Sequence, residues 1–206
     1  MSDAPADERL PQALLELDAI TRRLRLECPW DREQDERSIV PHTVEEAYEL
    51  ADAAHSGDDA KLVDELGDVL FQVYFLALLL EERGEGSLAG VADHVREKLI
   101  RRHPHVFGSV GADTAEEVRR NWDQIKRDDE RGGEIFGDIP ENLPSTLYAK
   151  KVLKRAESAG FRLDSAAQDP GQRLLAAVRE AVDAGVDPEL ALRQAADRFK
   201  DEVDGA

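Results

Sequence analysis

Residues 45–68 read EEAYELADAAHSGDDAKLVDELGD, and the fold follows from how this stretch is patterned. Apolar residues recur at helical spacing on both sides of His55-Ser56-Gly57-Asp58. Val44, Ala47, Tyr48 and Ala51 precede that turn, and Leu62, Leu66, Val69, Leu70 and Val73 follow it. The spacing predicts two helices joined as a hairpin. Residues three apart on a helix share a face, so Glu46 pairs with Glu49 and Glu65 with Asp68. Closing the hairpin brings the two pairs together.

Converging carboxylates are costly without a counter-charge. Two of them about 4 Å apart repel by roughly 4 kcal/mol at an effective dielectric near 20. A hard divalent ion reverses the sign, and an all-oxygen ligand set suits Mg²⁺, Mn²⁺ or Ca²⁺. The competing reading is two solvated acidic helix faces, since glutamate is common on helices. Placement tilts the balance: these acids lie beside apolar residues on both helices, where an unneutralised charge is hard to keep.

The rest of the chain reads as helices. The first ten residues are expected to fray, and a helix follows over about 11–27. Cys28-Pro29-Trp30-Asp31 breaks it, because proline disfavours the helical region for the residue before it. Thr43 is read as an N-cap, with Glu46 completing a capping box, a role that competes with metal ligation. The next helix covers about 59–83 and stops at Gly84. Its second half is apolar almost all round, which predicts burial on every side and a contact with a second copy. A helix over 88–102 follows, and Asp113-Thr114-Ala115-Glu116 caps another that carries Val118, Trp122 and Ile125 on one face. No strand pattern of useful length occurs. The prediction is an all-α fold: a catalytic unit of four-helix-bundle type over 1–130, a Gly- and Pro-rich linker over 131–145, and a helical tail over 146–206.

Composition limits the partners. A net charge of −18 over 206 residues argues against nucleic acid and anionic membranes, whose phosphates it would repel. The one cysteine, Cys28, has no internal disulfide partner, which fits a reducing compartment, and it is expected to be buried. MSDAPADERL lacks the basic and apolar regions of a signal peptide, and Val69 to Leu80 is too short to span a bilayer. A soluble, cytoplasmic protein is expected.

Five motifs in this order, Cys28-Pro29-Trp30-Asp31, Glu45-Glu46-x-x-Glu49, Glu65-x-x-Asp68, RRHPHVFG over 101–108 and Asn121-Trp122-Asp123-x-Ile125-Lys126, resemble the MazG family of nucleoside triphosphate pyrophosphohydrolases. The resemblance covers roughly residues 12–163. It implies a helical unit that assembles at least as a dimer. It also implies Mg²⁺-dependent cleavage of a nucleoside triphosphate to the monophosphate and pyrophosphate, with Mn²⁺ as a substitute ion, in keeping the nucleotide pool clean. By this resemblance Glu46, Glu49, Glu65 and Asp68 match the metal ligands. Lys61, Lys98, Arg101, Arg102, Trp122 and Lys126 fall where the family contacts or shapes the nucleotide pocket.

Read by themselves, these residues leave alternatives open. Lys98, Arg101 and Arg102 form a cationic patch fit for a triphosphate, or simply offset the dipole at a helix end. Trp122 stacks on a base or belongs to a core. Glu45, about 100° round the helix from Glu46, serves as base or orients a ligand. His103 and His105 are read as turn packing, not a zinc site. The tail resembles a half-deleted second repeat in which Leu174 and Leu175 align with Leu70 and Phe71, Asp169 with Glu65 and Gln172 with Asp68. Independent likeness of two amphipathic helices competes with that. Two other functions remain beside the main one: a pyrophosphohydrolase restricted to dUTP, dCTP or phosphoribosyl-ATP, and a non-catalytic helical metal-binding interaction protein.

Overall fold

The computed structural model describes residues 7–130, 134–137, 139–162 and 169–205, the side chains of 127–130 excepted. The first six residues and part of the predicted linker lie outside them. All regular structure among the described residues is helical. The chain divides into two compact units, one ending at Leu99 and the other beginning at Ile100.

In the first unit, α1 (Leu10–Glu27) ends where Cys28 turns extended, and Pro29 opens the short α2 (Pro29–Glu33). Helices α3 (Glu36–Ser56) and α4 (Asp59–Glu82) form the expected hairpin. Gly57 takes a left-handed φ of 71°, and Asp58 caps α4 by accepting from the Ala60 and Lys61 amides. The α3 start corrects the sequence reading. Asp35, not Thr43, is the N-cap, and Asp35 and Ser38 form the capping box. Thr43 lies inside the helix, and its hydroxyl approaches Ile39 O at 3.4 Å and Gln72 Oε1 at 3.2 Å. Pro41 lies inside α3, beyond its first turn, where a proline leaves one intrahelical hydrogen bond unmade.

The core of this unit is Ile39, Phe75 and Leu79, with Phe71 and Leu76 packed against it. Arginines lock the far end of α4 to its neighbours. Arg22 makes a two-pronged bond to Glu81 at 2.9 and 2.8 Å, Arg25 does the same to Glu82, and Arg83 reaches Glu36 at 2.8 Å. The burial expected on every side of the second half of α4 is incomplete, since Val73 is exposed, and with Val63, Leu66 and Leu70 it forms an open stripe along the helix. Cys28 is half-buried, short of the expected burial, because it sits at the helix break.

Helix α5 (Leu88–Arg102) spans the division, and α6 (Pro104–Phe107) is a single turn that the sequence reading did not resolve. Helix α7 (Ala115–Glu130) starts from a reciprocal cap. Thr114 Oγ1 accepts from the Glu117 amide, and Glu117 Oε2 accepts from the Asp113 and Thr114 amides. The tail holds the three helices expected of it, α8 (Ser145–Ser158), α9 (Pro170–Asp183) and α10 (Pro188–Asp204), packed on one another. No helix among the described residues is long and apolar enough to cross a membrane.

Candidate functional site

The hairpin brings together three of the four acids expected to meet, and Asp68 is not part of that group. One carboxylate oxygen from each of Glu46, Glu49 and Glu65 lies within 4.8 Å of the others. Glu46 is half-buried and Glu49 exposed, whereas Glu65 is only 8% exposed. Buried Glu65 Oε2 has no hydrogen-bond partner among the described residues, an arrangement that native structures rarely leave unanswered.

The electrostatics follow from this crowding. Burial raises Glu46 above the ordinary carboxylate range, and the like charges of Asp68, Glu49, Glu65 and Glu45 add to it. Asp68 therefore lies in the field of the same group. Glu65 is raised as well, by burial first and then by Glu49, while Lys61, one turn before it, pulls the other way. The cluster resists holding all its charges at once. Three converging carboxylate oxygens are a group that could hold a metal ion.

Beside it, His42 Nδ1 stands 3.8 Å from Glu45 Oε2, and the His42 ring meets Trp30 edge-on at 5.8 Å. The sequence reading gave His42 no role. Its position four residues before Glu46 was the available signal, since residues four apart share a helix face.

Lys98 is half-buried on α5 in the first unit. In the second unit, Arg101 is exposed, Arg102 only 6% exposed, and Lys126 half-buried on α7. The Arg102 guanidinium sits 5.5 Å from the centre of the Trp122 ring, and His103 meets the same ring edge-on at 4.8 Å. Trp122 is thus half-buried and clasped by its own unit. The His103 and His105 rings lie 5.5 Å apart, tilted by 57° to one another. In the tail, Asp169 and Gln172, which align with Glu65 and Asp68, form the capping box of α9.

Comparison with known proteins gives one answer. Residues 34–107, which include the whole acidic hairpin, match the MazG nucleotide pyrophosphohydrolase domain. The chain is 34% identical to the nucleoside triphosphate pyrophosphohydrolase/pyrophosphatase MazG of Thermotoga maritima, over 89% of this chain and 81% of that protein. An uncharacterised 26.1 kDa protein of Streptomyces cacaoi is 39% identical over 98% of this chain and 86% of its own length. The nucleoside triphosphate pyrophosphohydrolase of Escherichia coli is 41% identical over 65% of this chain, which spans only 52% of that enzyme. With its helical hairpin, its clustered carboxylates and these relatives, the chain belongs to the MazG nucleotide pyrophosphohydrolase family.

Proposed function

We propose that this protein hydrolyses nucleoside triphosphates to the monophosphate and pyrophosphate, in a cytoplasmic nucleotide-pool role, with a divalent cation at Glu46, Glu49, Glu65 and Asp68. One observation carries the reading: three carboxylates from two helices converge around a buried, unpartnered Glu65 oxygen. The donor set fits Mg²⁺, with Mn²⁺ as substitute, because all donors are hard, anionic oxygens. When bound, such an ion supplies charge neutralisation and polarisation to the phosphate under attack.

The chain's own residues complete the chemistry. Glu45 stands outside the three-carboxylate group, exposed and beside His42, and is assigned the proton of the attacking water. Lys61, whose charge already reaches Glu65, and Lys98 are assigned to phosphate oxygens. Arg101, Arg102, Trp122 and Lys126 keep the nucleotide-contacting role of the family resemblance. The open stripe of Val63, Leu66, Leu70 and Val73 supports a homodimer or larger homo-oligomer, in which a second copy covers it.

Purified protein incubated with each NTP and dNTP, with and without Mg²⁺, tests this. The expected result is release of pyrophosphate, not phosphate, in the presence of the ion alone. Activity confined to dUTP, dCTP or phosphoribosyl-ATP would favour a restricted enzyme. No turnover of any nucleotide would leave only a metal-binding protein.

A further inference from the structure

The tail keeps an apolar face that its own helices do not cover. Helices α8, α9 and α10 line an open groove of about 680 Å³. Ala149, Val178 and Ala191 are among its walls, and Leu174 and Leu192 stand at its rims, 70% and 60% exposed. The likeness to the first unit accounts for the opening. In that alignment α9 stands for α4, and α3 has no counterpart in the tail. Leu174 and Ala177 take the places of Leu70 and Val73, which belong to the stripe that α4 leaves open, and Leu174 is the more exposed, at 70% against 38% for Leu70.

We infer that this face docks on the same face of a second copy, with the two α9 helices antiparallel across a two-fold axis. The contact is separate from the α4 stripe and does not depend on hydrolysis.

A two-fold contact needs a surface complementary to itself, and α9 has one. Arg173, Ala177 and Glu180 recur at helical spacing along one face, beside the row of Leu174, Val178 and Ala181. Antiparallel pairing centred near Ala177 sets Arg173 of each copy against Glu180 of the other. Both side chains are exposed, and neither makes an ion pair among the described residues. The other two charges of α9 are answered within the tail: Arg179 pairs with Asp183 at 3.0 Å and with Glu157 of α8 at 3.7 Å. The helix thus leaves unanswered the one acid and the one base that an antiparallel copy would match.

The distribution of charge selects the same partner. Residues 146–206 carry ten basic and eleven acidic side chains, a net charge of −1, so −17 of the chain's −18 lies in residues 1–145. Two copies of so acidic a chain repel one another least where their tails meet. A strongly charged partner of another kind would find no opposite charge here to recognise.

Disulfide trapping in the full chain tests this, because it reads proximity even where the α4 stripe holds copies together. Cys28→Ala removes the native thiol, and a single cysteine is then placed by Ala177→Cys or by Ala184→Cys. Mild oxidation should join the Ala177→Cys chains as covalent dimers. Ala184→Cys should stay monomeric in this assay, since seven residues from the axis put its two thiols about 20 Å apart. Adding Leu174→Glu or Arg173→Glu to Ala177→Cys should slow trapping by about tenfold. Arg173→Glu combined with Glu180→Arg should restore it, and because both residues are exposed this swap decides the matter even if Leu174→Glu does not fold. Trapping no faster at Ala177→Cys than at Ala184→Cys overturns the proposal, and so does a charge swap without rescue. Trapping untouched by Leu174→Glu, with a lowered melting point, also overturns it and assigns the groove to the chain's own packing.

Discussion

Thr43 Oγ1 donates across the hairpin to Gln72 Oε1 at 3.2 Å, joining α3 to α4 at positions three residues before Glu46 and four after Asp68. Gln72 is 7% exposed, so its carbonyl has little access to water. Replacing Thr43 with Val strands that acceptor and should cost about 1–3 kcal/mol, whereas Thr43→Val combined with Gln72→Leu should recover much of the loss. Denaturant titration of the three variants checks this. Equal stability of wild type and Thr43→Val would show that the bond is not formed in solution.

Glu65 carries the next prediction. Removing one charge from a crowded group relieves repulsion, so Glu65→Gln should raise the melting point of cation-free protein while eliminating hydrolysis. Wild-type protein should gain about 2.7 kcal/mol from Mg²⁺ at a hundredfold excess over its dissociation constant. The variant should gain far less. Calorimetry with and without Mg²⁺ reads both effects, and equal gains in the two proteins would remove Glu65 from the cation site.

Asp187 supplies a pH dependence in the tail. Burial works to raise it, but the Lys150 ammonium and the Leu190 and Glu189 amides outweigh burial and hold it below the usual aspartate value. A carboxylate lowered by folding adds stability above its unfolded pKa and surrenders it as pH falls through the folded one. Asp187→Asn keeps a capping side chain and loses the charge, so it should be less stable than wild type by about 1 kcal/mol at neutral pH. The difference should shrink as pH drops below about 3.9. Urea melts at several pH values test this, and a gap independent of pH would contradict the assignment.

The tail itself can be removed. Helices α8, α9 and α10 pack on one another, and the residues aligned with Glu65 and Asp68 are occupied in capping α9. Deleting residues 146–206 should therefore weaken assembly or stability while any protein that stays folded retains Mg²⁺-dependent turnover. Light scattering and a turnover assay decide between this and a tail that supplies part of the active site. A folded truncation that binds Mg²⁺ without turnover would show the latter.

Much of this molecule is legible in its sequence because its signals are local. The turn at Gly57, the cap at Asp58 and the meeting of Glu46, Glu49 and Glu65 all follow from helical spacing and one glycine. The α3 start was misread because two caps compete. Thr43-Val44-Glu45-Glu46 has the usual capping-box composition and follows a proline. Asp35 instead closes its box with a serine, Ser38, and α3 passes through Pro41 at the loss of one bond. The Trp30–His42 contact was not legible because the rings come from helices whose angle and distance no periodicity specifies.

The two ends of α4 differ in how their charge is balanced. Arg22, Arg25 and Arg83 pair with acids at one end, while Glu65 near the other meets Glu46 and Glu49. The like-charged stretch is therefore expected to open more readily than the ion-paired one. Amide exchange should be fastest around Glu49 and Glu65 and slowest around Phe75 to Leu79. A divalent ion should slow the first group and leave the second unchanged, so that the cation acts on the protein as a latch as well as on the phosphate.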